Sequence, residues 1–131
     1  MTKTEQNLAT ARRWAELMND ADRLVDECYA EDTVARAMGF PAVIRGREQM
    51  RAGTRAAVQA APRRYLRVDH MHAADDVVVV EAALRDPDRG ADWETQFCAV
   101  LTFRDGLIID DRSYLDLRRW PGISEALADK G

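Results

Sequence analysis

The chain has 131 residues, 47% hydrophobic and 32% charged, enough for one domain with one core and too few for a second. Its net charge of −4 and its interleaved acidic and basic residues leave no basic stripe that could follow a phosphate backbone, which argues against nucleic acid as a partner. No apolar run approaches the roughly 20 residues of a membrane span, and "MTKTEQNLATARRW" lacks the apolar stretch of a signal peptide, so a cytoplasmic protein without a membrane partner is expected.

The first predicted element runs from Thr4 to Asn19, where Leu8, Ala11, Ala15 and Met18 recur at helical spacing, Trp14 and Leu17 widen the stripe, and Arg12, Arg13 and Glu16 take the opposite side. After the capping stretch "NDAD", Leu24, Val25, Cys28 and Tyr29 indicate a second, short helix ended by "EDT". "VARAMGFPAVIRG" suits an irregular strand and turn, and a third helix is expected from near Gly46 to Pro62. Residues 65 to 72, 76 to 86, 92 to 104 and 107 to 117 have strand character and are joined by the turn signals "AADD", "DPDRGAD" and "RDG"; a last short helix is expected at about Ile123 to Asp129. Helices first and an antiparallel meander second indicate the α+β class, with a curved sheet and helices packed on one side of it. Cys28 and Cys98 have neither redox nor metal spacing and are expected to be buried free thiols.

Strand alternation assigns faces. Trp93, Thr95, Phe97, Ala99, Leu101 and Phe103 form an inward set, as do Val78, Val80, Ala82 and Leu84, with Glu81 on the other side. In the last strand Leu107, Ile109, Asp111, Ser113 and Leu115 share the inward face, while Asp110, Arg112, Tyr114 and Asp116 look outward. In "YLRVDHMH" the alternation puts Leu66, Val68, His70 and His72 on one face, so both histidines of the chain travel with the apolar side.

These features together resemble the SnoaL-like branch of the nuclear transport factor 2-like superfamily. The resemblance is carried by Tyr29-x-Glu31-Asp32-Thr33, by Gly46-Arg47 opening the third helix, by Asp105-Gly106 before the last strand and by Arg112-x-Tyr114-x-Asp116. That branch includes polyketide cyclases, ketosteroid isomerases, limonene epoxide hydrolases and scytalone dehydratases; the stretch from Asp105 to Trp120 is most similar to the epoxide hydrolases. The resemblance implies a cone formed by three N-terminal helices on the concave side of a curved antiparallel sheet. It also implies a closed apolar bottom, a metal-free and cofactor-free site, and a homodimer through the convex sheet face. The epoxide hydrolase catalytic positions correspond here to Ser113, Val80, Ala82, Ala35 and Ala37; the acid/base aspartate of the cyclases also falls on Ser113, and no carboxylate stands where the isomerases have their base. The family therefore implies a pocket for a small hydrophobic molecule more firmly than it implies a reaction.

The polar groups expected inside such a cone are His70, His72, Asp111 and Ser113, where desolvation brings a carboxyl or imidazole toward neutrality. In the catalytic reading, His70 or His72 is the general acid or base, Asp111 orients it and Ser113 bonds the substrate oxygen. Trp14, Met18, Tyr29, Val80, Ala82, Trp93, Phe97 and Leu115 are the expected walls. The chemistry this supports is dehydration, isomerisation, cyclisation or epoxide opening of a polyketide-, terpenoid- or steroid-like substrate. Three alternatives stand beside it: a metal held by His70, His72 and Asp111, a noncatalytic carrier or sensor using the same pocket, and a dimerising module with little cavity.

Overall fold

The computed structural model describes residues 1–130. Helix α1 spans Lys3–Glu16, with the Thr2 side chain accepting from the Glu5 amide at its N-terminus, and α2 spans Ala21–Cys28 behind an Asp20 cap that accepts from the Arg23 amide. The chain then turns at once into β1, Tyr29–Ala37, so Tyr29 ends the helix and "EDT" lies within a strand. Strand β2 (Ile44–Arg45) and helix α3 (Gly46–Ala60) follow, then β3 (Tyr65–Ala74), β4 (Val77–Arg85), β5 (Glu94–Arg104), β6 (Leu107–Leu115) and α4 (Ile123–Lys130).

The six strands form one sheet in the order β2-β1-β6-β5-β4-β3, so the mixed α+β architecture is as expected. The pairing is antiparallel throughout except between β1 and β6, which run parallel across the middle of the sheet. The β5–β6 turn places Asp105 and Gly106 at φ 54° and 77°, the two left-handed residues of the two-residue hairpin turn that an Asp-Gly pair favours. Helix α1 lies across β3 and β4, and Thr10 Oγ1 donates to the Gly106 carbonyl at 2.7 Å, tying the helix to that turn.

The core sits between the inner sheet face and α1 and α2, with Ala11, Trp14, Leu24, Val80, Leu84 and Leu101 among its members. The alternation read from β4 and β5 is observed: Val78, Val80, Ala82, Leu84, Thr95, Phe97, Ala99, Leu101 and Phe103 are all buried. Three register shifts fall in the pairings of the other strands, one of them between Tyr29 and Val34 of β1, and the other two reassign side chains. Between Thr102 and Phe103 the pairing with β6 slips, so Ile108 packs inward and is fully buried, whereas Leu107 and Ile109 do not share the face of Asp111 as expected. Between Val68 and His70 the pairing with β4 slips as well, and from that point Met71 and Ala73 pack on the core. His70 and His72 are turned to the outer face and exposed, which corrects the inward assignment made from alternation alone. One extra residue in a strand moves every later side chain to the other face.

Cys28 is buried, but Cys98 is only half-buried and lies outward beside Glu81, its β4 partner. No helix among the described residues is long and apolar enough to cross a membrane.

Candidate active site

A cavity of about 320 Å³ opens where α1 stops covering the sheet. Strands β1, β5 and β6 form its floor, α3 one wall, and the segment after β6 closes it with Trp120, Pro121 and Ile123. The void has a sequence cause. Asp111 is flanked in register by Ala35 and Leu101, and Ser113 by Ala37 and Ala99, so alanines stand on both sides of Ser113 and on one side of Asp111, where larger side chains would fill the space. On α3, Gly53, Ala56 and Ala57 face the same space. Trp120 meets Phe97 edge to face, with ring centroids 4.8 Å apart, which fixes the closing segment against the floor.

A chain of hydrogen bonds crosses the inner wall. Trp14 Nε1 donates to Tyr29 Oη at 2.8 Å, Tyr29 Oη donates to Asp111 Oδ2 at 2.7 Å, and Ser113 Oγ donates to Asp111 Oδ1 at 3.1 Å. Three elements converge here. Trp14 is on the last turns of α1, Tyr29 stands where α2 becomes β1, and the parallel β1–β6 pairing brings that corner beside Asp111. The Asp111 side chain is in the interior, only 6% exposed as a residue, and both it and Ser113 line the cavity.

Burial pushes the Asp111 carboxyl above its ordinary range, against the downward pull of the Tyr29 and Ser113 hydroxyls, and the neighbouring charge of Asp110 adds to the rise. Tyr29 is held well above its ordinary value, first by burial and then by the negative charge of Asp111. The phenol therefore stays a neutral donor, and Asp111 is the acidic member of the pair, holding its proton more firmly than an exposed carboxyl does. Asp110 itself faces outward, as expected from alternation, and pairs with Arg36 and Arg112.

Of the expected site residues, Asp111, Ser113, Trp14, Met18, Tyr29, Phe97 and Leu115 line the cavity. His70 and His72 do not. They lie on the outer face of β3, where their rings are 5.9 Å apart and His72 Nε2 is 2.6 Å from Glu81 Oε2. Because the sheet separates them from Asp111, neither the His–Asp pair nor the His70-x-His72 and Asp111 ligand set is assembled. Among the described residues no cluster of three His, Cys, Asp or Glu side chains is placed to hold a metal.

Val80 and Ala82 face inward as expected but belong to the filled part of the core, because α1 crosses β4 and covers them. Alternation specifies the face of a strand, not what lies on it. Trp93 precedes β5 and is held outside the cavity between the guanidinium groups of Arg89 and Arg119, 5.5 and 5.1 Å from its ring centroid. Conversely, Arg64, Thr54 and Trp120 line the cavity without having been singled out. The only sequence signal for Trp120 was its place in "RRWPG"; nothing local marked Arg64.

Among proteins of known structure, the fold is similar to that of a putative SnoaL-like polyketide cyclase from Jannaschia sp. CCS1, with a TM-score of 0.76 and 22% identity over 89% of this chain and 90% of that one. Bal32a, from a soil-derived mobile gene cassette, is similar at a TM-score of 0.77 and 24% identity, covering 93% of this chain and 98% of that one. A limonene-epoxide-hydrolase-like epoxide hydrolase from M. tuberculosis gives a TM-score of 0.68 and 22% identity, covering 98% of this chain and 97% of that one. At these identities the likeness shows the fold, a cone closed by helices over a curved sheet. No curated protein matches the chain in sequence. The family model of the SnoaL-like domain matches residues 11–110, and on that match this chain belongs to the SnoaL-like domain family.

Proposed function

We propose that the protein is an enzyme of general acid/base type acting on a small hydrophobic oxygenated molecule, with Asp111 as the proton carrier. The supporting observation is a buried carboxyl on the wall of an apolar cavity, gripped on both oxygens by neutral hydroxyl donors. Desolvation, the larger effect, favours the protonated acid against the two donors that favour the carboxylate, so the group takes up a proton more readily than an exposed carboxyl. Trp14 polarises the Tyr29 phenol toward Asp111, and the three-residue chain fixes the carboxyl plane. Ser113 holds Oδ1 and can turn its hydroxyl to a substrate oxygen above it. Dehydration, isomerisation, cyclisation and epoxide opening all need a proton moved at or beside an oxygenated carbon, and one carboxyl can do this.

The test is thermal-shift screening with terpenoid, steroid and polyketide-like ligands, followed by solvent-deuterium exchange and turnover measured by NMR on each binder. Asp111→Asn is expected to retain binding and lose about 10²- to 10⁴-fold in exchange or turnover, while the His70→Ala/His72→Ala double variant keeps wild-type rates. Wild-type rates in Asp111→Asn would overturn the assignment. A second reading, a carrier or sensor, is favoured by the alanines at 35 and 37 and the mainly apolar lining; it predicts binding with no exchange on any ligand.

We further propose a homodimer through the outer sheet face, supported by Tyr114, 49% exposed on that face. The cytoplasm is the proposed compartment, supported by two free cysteines.

A further inference from the structure

Arg64 is only 4% exposed and lines the cavity that Asp111 also lines. Its Nε donates to Asn19 Oδ1 at 3.1 Å and its Nη2 to the Met18 carbonyl at 3.0 Å, while Asn19 Nδ2 returns a 2.6 Å bond to the Arg64 carbonyl. These partners are neutral. Burial alone moves the guanidinium, pushing it down to about 10, and no carboxylate offsets that shift. Elsewhere several arginines pair with acids: Arg51 with Asp22 and Asp26, Arg67 with Asp69 and Glu94, Arg104 with Asp32. Those pairs are at the surface, where a lone cation would be solvated by water at little cost. Of the two arginines on the cavity wall, the more exposed Arg36 pairs with Asp110, whereas the buried Arg64, where an uncompensated charge costs most, has no acid among the described residues.

We infer that Arg64 receives the carboxylate of an apolar carboxylic acid bound in the cavity, supplying the binding half of a site whose reacting half is Asp111. This rests on the cavity being a ligand site, as in the proposed function, and names the ligand class. Nε and one Nη2 proton are occupied by Asn19 and Met18, which fix the guanidinium plane and leave its remaining N–H groups for the two oxygens of a carboxylate. The ligand then lies with its anion at Arg64, its apolar body along Phe97, Trp120 and Leu115, and an oxygenated carbon toward Asp111.

The experiment measures equilibrium binding to the full chain of matched acid and primary-amide pairs, phenylacetate through 6-phenylhexanoate and their amides, by titration calorimetry at pH 7. Each acid that binds is expected to bind at least tenfold tighter than its amide, and Arg64→Gln is expected to abolish that ratio while Arg64→Lys keeps part of it. Equal affinity of acid and amide for the wild type, or no binding by any acid of the series, would overturn the inference without recourse to a variant. An Arg64→Gln chain that stays folded by circular dichroism and keeps the tenfold preference would overturn it too. Asp111→Asn is expected to keep the preference, so loss of acid selectivity and loss of proton transfer are separate failures of separate claims.

Discussion

The phenol of Tyr29 donates a 2.7 Å hydrogen bond to Oδ2 of Asp111, joining the end of a helix to a strand 82 residues later. Neither group has another route to satisfaction on that side: the phenol is fully enclosed and the carboxyl is buried. Tyr29→Phe therefore leaves Asp111 short of one donor and Trp14 Nε1 without its acceptor. The expected outcome is a loss of about 1–3 kcal/mol in stability, measured by chemical denaturation. Because Tyr29 lowers the Asp111 value, its removal also moves the acidic limb of any pH–rate profile upward.

The pH dependence of stability gives a second check. Asp111 has a folded-state pKa above its ordinary 3.8, so between those two values the folded state holds a proton that the unfolded state has lost. Its contribution is fully present below 3.8 and is lost as pH rises through the folded value. Asp111→Asn has no such proton to lose. The difference in Tm, Asp111→Asn minus wild type, is expected to rise from pH 3.5 to pH 8. Taking the difference cancels the opposite slopes of Asp26, Asp32, Asp69 and Glu94, whose arginine partners hold them below their ordinary range. A flat or falling difference would show that Asp111 is ionised throughout.

Cys28 is packed between α1 and α2, and burial pushes its thiol up to about 12. At pH 8 almost none of it is thiolate, the only form that attacks a disulfide probe. Labelling of Cys28 is expected to proceed only at the rate of unfolding, and to accelerate with denaturant in step with loss of the circular dichroism signal.

Tyr114 stands on the outer face opposite Cys98 in the β5–β6 pairing. Tyr114→Arg puts a charge at the centre of the proposed contact between two copies and is expected to convert a dimer to a monomer in sedimentation equilibrium. Cys98, shielded in the dimer, should label faster in that variant. A wild-type chain that sediments as a monomer refutes the contact.

Much of the fold could be read from local pattern. Thr2 and Asp20 cap their helices, Asp105-Gly106 closes its hairpin, and the buried rows of β4 and β5 follow alternation, with Ala83 of β4 buried as well, because each depends on residues adjacent in the chain. Asp111 and Ser113 were placed inward for the same reason: from Asp111 onward β6 stays in unbroken register with β5. The histidines were misplaced because the shift between Val68 and His70 is a property of two strands and not of one: nothing in "RVDHMH" says that β4 will have one residue fewer opposite it. Arg64 owes its burial to Asn19, 45 residues away, and Asp111 owes its donor to Tyr29, so neither environment is written near the residue it governs. The sequence by itself determined which elements form and which strand faces are apolar, since propensity, capping and alternation act over a few residues. Only the tertiary structure decided which inward side chains are covered by α1 and which border empty space, because that depends on where a helix ends over a sheet.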